Sequence, residues 1–126
     1  MFQKKESAML RTRIAERKNL DIQGFYKILD RDRFFARSYL GAKSPMVIID
    51  ISTTGCALKV DRFIPKGSYV EIELKQLTKD KILDPPIIAA CETVYCRYIN
   101  RTSNKIGAKF LEIKHEDVDR IRQYTE

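Results

Sequence analysis

A chain of 126 residues with 44% hydrophobic residues is the size of one ordinary domain, able to bury a single core without disulfides or metals to hold it. Charged residues make up 33%, which fits a soluble fold, and no apolar run approaches the ~20 residues needed to cross a bilayer, so membrane insertion is not expected. The net charge of +7 is uneven: residues 1–43 hold eleven Lys and Arg against five acids, which leaves only +1 for residues 44–126. Such a segment either faces an anionic partner (nucleic acid, phosphorylated small molecule, acidic protein or membrane surface) or is a solvated basic face.

The first residues, Met1-Phe2-Gln3-Lys4-Lys5-Glu6, are basic without a following apolar stretch, unlike a secretion signal. Residues 6–17 read as a short helix or helical arm whose thin apolar set (Ala8, Met9, Leu10, Ile14, Ala15) makes it depend on docking to the body. On a helix Arg13 and Arg17 share one face, with Arg11 and Lys18 beside them. From Leu20 the period becomes two, which predicts a strand over residues 20–28. Residues 29–33 form a charged turn, and a returning strand starts near residue 34 until Gly41 to Pro45 interrupt it.

Residues 46–52 make the next strand and residues 57–60 another, with a Pro- and Gly-punctuated loop at residues 61–67. Residues 69–74 alternate cleanly, placing Val70, Ile72 and Leu74 inward. A polar, proline-ended connection is expected over residues 76–86, then a long strand or bent pair over residues 87–98, a turn at residues 100–104 and a last strand at residues 106–113. The chain ends as a helix from His115, acids first and arginines late, as its macrodipole favours. Six or so strands joined mostly by turns, followed by one helix, define an all-β antiparallel barrel or sandwich and exclude a parallel nucleotide-binding sheet.

Between two apolar runs lies Asp50-Ile51-Ser52-Thr53-Thr54-Gly55. Strand alternation would project Asp50 and Ser52 to one face, and Gly55 supplies either a positive-φ turn or a place of close backbone approach. The stretch is therefore a small polar receptor or a plain β-turn built of its usual residues.

Four pieces in this order resemble the PilZ domain family of cyclic di-GMP receptors. Arg13-Ile14-Ala15-Glu16-Arg17 is similar to the family's RxxxR, and Asp50-Ile51-Ser52-Thr53-Thr54-Gly55 to its (D/N)xSxxG. Pro65-Lys66-Gly67 leading into Tyr69-Val70-Glu71-Ile72-Glu73-Leu74 is similar to the strand after a Pro-x-Gly turn, and Ile106-Gly107-Ala108-Lys109-Phe110-Leu111 to the closing strand. The resemblance spans nearly the whole chain from about Arg11. It implies a six-stranded antiparallel barrel at residues 20–126, carrying a C-terminal helix, with a basic arm at residues 1–19.

It also implies a ligand, cyclic di-GMP, with two phosphodiesters and two guanines. Arginine pairs bidentately with phosphate or with the O6/N7 edge of guanine and can stack on the base. By the resemblance Arg13 and Arg17 contact phosphates and guanine edges, Asp50 accepts from guanine N–H groups, Ser52 bonds nearby, Gly55 permits close approach, and Arg11 is an extra contact. Binding would order the arm and signal to an effector protein.

A second RxxxR, Arg33-Phe34-Phe35-Ala36-Arg37, lies closer to Asp50. Arg13 and Arg17 are taken as the family's pair because an alternating strand follows Arg17 directly, whereas twelve residues between Arg37 and Asp50 leave little room for the strands the family places there. Arg31, Arg33 and Arg37 then sit on a long hairpin tip.

No nucleophile and base pair, carboxylate dyad or phosphate-cradling glycine loop is evident, so no enzymatic activity, cofactor or metal is expected. Three cysteines in β-like runs and no CxxC fit a reducing cytoplasm better than a disulfide framework. Cys56 reads as core, His115 as a surface or helix-start residue, and Tyr95 as core or ligand-facing. The alternatives to a cyclic di-GMP receptor are a ligand-independent PilZ-like interaction module of pilus or motility machinery and a nucleic-acid-binding barrel. The last lacks interleaved aromatics on its basic segment apart from Phe34 and Phe35. A single domain of this kind acts in trans or within a larger fused context.

Overall fold

The computed structural model describes residues 17–29 and 43–125. The predicted arm before Arg17, the residue 29–33 turn beyond Leu29 and the start of the returning strand lie outside these residues. Six strands run β1 (Lys18–Leu29), β2 (Ser44–Ile51), β3 (Gly55–Val60), β4 (Tyr69–Thr78), β5 (Lys81–Asn100) and β6 (Ser103–Ile113), followed by helix α1 (His115–Thr125). Among the described residues all pairings are antiparallel, and the ring closes in the order β1-β2-β3-β6-β5-β4, so each of these six strands has two neighbours.

Period-two patterning fills the interior. In β1, Ile22 and Tyr26 point in, while Asp21 and Gln23 point out. Val70, Ile72 and Leu74 of β4 are fully buried, as their alternation predicts. They pack with Ile48 and Ile51 of β2, Leu58 of β3, Ile87 of β5 and Ile106 of β6 in one core that Ile121 of α1 joins from the end. Glu116 and Asp117 in the first turn of α1 and Arg122 in its last suit the helix dipole, and buried Asp117 is held by Arg120 at 2.6 Å. Gly67, at φ 89°, makes the turn into β4 in the left-handed region that glycine tolerates.

One expectation fails. Residues 76–86 do not form a polar connection: β4 continues to Thr78, the chain turns over Lys79 and Asp80, and β5 begins at Lys81. Buried Leu77 and the partly buried Leu83 supply the apolar contact that keeps this hairpin on the body. The prolines are accommodated by a register break. Gln76 pairs with Ile82 and Leu74 with Ile87, so Pro85 and Pro86 fall in extra residues of β5 and no ladder N–H is missed.

Candidate functional site

The Asp50 stretch is the end of β2 and its turn into β3. Register breaks lie on both sides of Asp50, between Asn19 and Ile22 on the β1 side and between Ile48 and Asp50 on the β3 side. A bulge of this kind re-aims a side chain. Asp50 points outward with 18% of its side chain exposed and accepts from Arg17 Nη1 at 2.5 Å.

Ser52 does not share that outward face, because the chain leaves the strand at this residue. It is 1% exposed. Its Oγ accepts from Thr54 N at 3.2 Å, lies 3.1 Å from Thr54 Oγ1 and 3.3 Å from the Gly55 carbonyl, and its own N–H donates to that carbonyl at 2.9 Å. The hydroxyl holds the turn shut. Thr54 O in turn accepts from Phe110 N at 3.0 Å, which ties the turn to β6.

Of the two roles open to Gly55, the structure assigns close approach. A Cβ on Gly55 would lie 2.3 Å from the Ala108 carbonyl oxygen. The missing side chain lets β3 and β6 cross closely beside Asp50. Gly107 does the same for Tyr95, whose ring lies where a Gly107 Cβ would be. The Arg97 guanidinium sits 5.0 Å from the centroid of that ring.

These residues enclose an open groove of about 450 Å³ on the outside of the barrel, bounded by Arg17 and Asp50 at one edge, Thr54 and Gly55 at the turn, Ala57, Gly107 and Tyr95 across the floor, and Val94 and Lys109 opposite. The Arg17–Asp50 pair on one edge and Lys109 opposite, with a ring between them, suit a flat, polar ligand bearing both donors and negative charge. Beneath the floor, the Cys56 thiol is pushed up to about 12 by burial, with the Asp50 carboxylate adding to the shift and Arg17 opposing it, so it is a protonated core group. Cys91 is raised well above its ordinary value for the same first reason. His115 is exposed and lies 3.6 Å from Asp119, one helical turn on.

The structure thus brings Arg17, Asp50 and Gly55 to one groove and sets Ser52 just behind it. Arg11, Arg13 and the second motif's Arg33 and Arg37 lie outside the described residues. Sequence reasoning passed over Thr54, Gly107 and Lys109. An isolated glycine within the strand pattern at Gly107 was the available signal, since such a glycine often marks close approach.

A closed six-stranded antiparallel barrel capped by one helix, with a polar groove beside the β2–β3 turn, defines the architecture of this domain. The chain belongs to the PilZ domain family, whose sequence model matches residues 12–126. No curated protein sequence matches it. Among solved structures it is similar to the Bacillus subtilis inhibitor of motility MotI/DgrA, with a TM-score of 0.67 and 13% identity over 92% of this chain and 50% of that one. The PilZ domain of Escherichia coli YcgR, solved with c-di-GMP, gives a TM-score of 0.60 and 12% identity over 91% of this chain and 89% of that one. The K. pneumonia MrkH–c-di-GMP complex gives 0.59 and 18% over 91% of this chain and 51% of that one. The chain therefore spans about half the length of MotI and MrkH. At these identities the likeness is one of fold. No helix among the described residues is long and apolar enough to cross a membrane.

Proposed function

We propose that this protein is a cyclic di-GMP receptor, a binding module and not an enzyme, which reports ligand occupancy to an effector protein. The observation that carries the reading is the meeting of Arg17, last residue of the RxxxR motif, with Asp50, first residue of the DxSxxG motif, at 2.5 Å on the rim of the groove. Family membership and two structural relatives solved with c-di-GMP support it.

In this reading Asp50 releases Arg17 and accepts guanine N–H groups, while the Arg17 fork turns to a phosphate or to guanine O6 and N7. Ser52 contributes by fixing the turn that aims Asp50. Gly55 keeps the groove wall low. Arg13 and Arg11 add phosphate contacts from the arm, and ordering of that arm is the signal passed on.

Calorimetry with cyclic di-GMP on the wild type, Arg17→Ala, Arg13→Ala and Asp50→Ala tests the reading. Binding heat is expected for the wild type and a strong loss in each variant. A wild type without binding heat would defeat the receptor reading in favour of a ligand-independent interaction module. If Arg33→Ala abolishes binding and Arg13→Ala does not, the arginine assignment is wrong.

A further inference from the structure

The outer face of β3, β6 and β5 can be followed rung by rung from the strand register. Gly55, Lys109 and Glu92 form one row, Ala57, Gly107 and Tyr95 the next, and Lys59, Lys105 and Arg97 the third. The second row is the floor of the groove. The third lies one outward position further along, about 7 Å away.

Three cations therefore stand side by side at a strand spacing of about 4.8 Å. Like charges directly opposite one another weaken a sheet. Elsewhere the described cations are often matched: Arg17 with Asp50, Lys43 with Glu73, Arg62 with Asp61, Arg120 with Asp117 and Arg122 with Asp119. None of Lys59, Lys105 and Arg97 forms an ion pair among the described residues. Their sheet neighbours offer no acid: Val47 faces Lys59 on the β2 side, and Ala57, Gly107 and Tyr95 flank the row. Asp61, two residues beyond Lys59, is engaged by the Tyr26 hydroxyl at 2.8 Å and by Arg62 at 3.2 Å. Next to the row the same strand end carries exposed apolar surface. Ile99, two residues beyond Arg97 and on the same side of the strand, is 44% exposed.

We propose that this face is a docking surface for an acidic segment of a partner protein, its carboxylates set over Lys59, Lys105 and Arg97 and an apolar residue covering Ile99. The surface goes beyond the nucleotide reading and does not rest on it. Charge complementarity names the partner's sign, and the composition names its class. Tyr95 and Arg97 beside the aliphatic Ile99 are of the kind found at protein interface centres. Single-stranded nucleic acid needs aromatic faces free to stack on bases along a groove that tracks several nucleotides. Three cations make a short track, and the ring nearest them, Tyr95, is already against Gly107 and the Arg97 guanidinium.

The test is fluorescence anisotropy of the full chain with a labelled decapeptide of glutamates and two leucines, beside a labelled oligothymidylate of ten nucleotides. The peptide is expected to bind at low salt, to weaken as salt rises, and to lose about tenfold in affinity with Lys59→Glu/Lys105→Glu and severalfold with Ile99→Ser. Lys66→Glu/Lys114→Glu, with the same change in net charge at exposed sites off the row, is expected to leave the affinity unchanged. Lys59→Gln/Lys105→Gln relieves the repulsion, so it is expected to melt no lower than the wild type while still losing the peptide. An equal loss in the Lys66/Lys114 variant, no binding of the peptide, or tighter binding of the oligothymidylate through the same residues each overturns the proposal.

Discussion

Arg17 and Asp50, 33 residues apart in sequence, hold one another at 2.5 Å on the rim of the groove, so the two groups proposed to hold the nucleotide are here each other's partner. The pair is open to water, with 36% and 18% of the side chains exposed. Exposed pairs of this kind contribute about 0–1 kcal/mol to stability, whereas a charge-assisted hydrogen bond to a ligand is worth about 1.5–3 kcal/mol. Arg17→Ala and Asp50→Ala are therefore expected to change the unfolding free energy by less than about 1 kcal/mol while weakening cyclic di-GMP binding by about tenfold or more. Calorimetry and urea unfolding on the same samples separate the two. A large loss of stability would make the pair structural.

Gly55 and Gly107 should answer differently to alanine. At Gly55 the new methyl meets a backbone carbonyl at 2.3 Å, which cannot move without parting β3 from β6. At Gly107 it meets the Tyr95 ring, a side chain that can swing away. Gly55→Ala is expected to cost about 3 kcal/mol or more, and Gly107→Ala roughly 1–2 kcal/mol. Because Tyr95 is part of the groove floor, Gly107→Ala should impair ligand binding more than its stability loss explains. Urea unfolding ranks the first effect and calorimetry measures the second.

Ser52→Ala removes the acceptor for Thr54 N–H and the hydroxyl beside Thr54 Oγ1 in a buried turn. A loss of about 1–2 kcal/mol is expected. Amide exchange should accelerate most at Thr54. Unchanged protection there would show that the hydroxyl does not hold the turn.

Alkaline pH should unfold the protein through two buried acids. Burial, together with the hydrogen bond to Asp61, raises the Tyr26 phenol to about 12 from its usual value of 10.0. The folded chain then holds this proton more tightly than the unfolded chain does. The resulting stability is complete below pH 10 and is lost as pH rises toward 12. Cys56, raised to about 12 from 9.0, acts in the same direction from pH 9 upward. Urea unfolding between pH 9 and pH 12 should show a decline that is shallower in Tyr26→Phe. At neutral pH the thiol reagent DTNB should modify the partly buried Cys96 in the native protein and reach Cys56 and Cys91 only after unfolding.

Much of the fold was legible because its signals are local. Alternation in residues 20–28 and 69–74 is a property of neighbouring residues: it predicted both strands and named the inward side chains of β4 correctly. The β4–β5 hairpin was misread because Pro85 and Pro86 speak against a strand unless a register break excuses them, and only strand pairing shows the break. Ser52 was placed on the face of Asp50 by the same alternation, which ceases to hold once β2 ends at Ile51.

The sequence by itself determined that this is an antiparallel β protein with a polar turn at Asp50 and an asymmetric basic charge, since composition and periodicity are carried along the chain. Tertiary structure alone decided what those residues meet. The Arg17–Asp50 contact, the Ala108 carbonyl against Gly55, the Tyr95 ring over Gly107 and the row of Lys59, Lys105 and Arg97 all join separate strands. Their geometry is set by strand register and barrel closure, long-range quantities fixed by packing of the whole core and written in no single stretch of the chain.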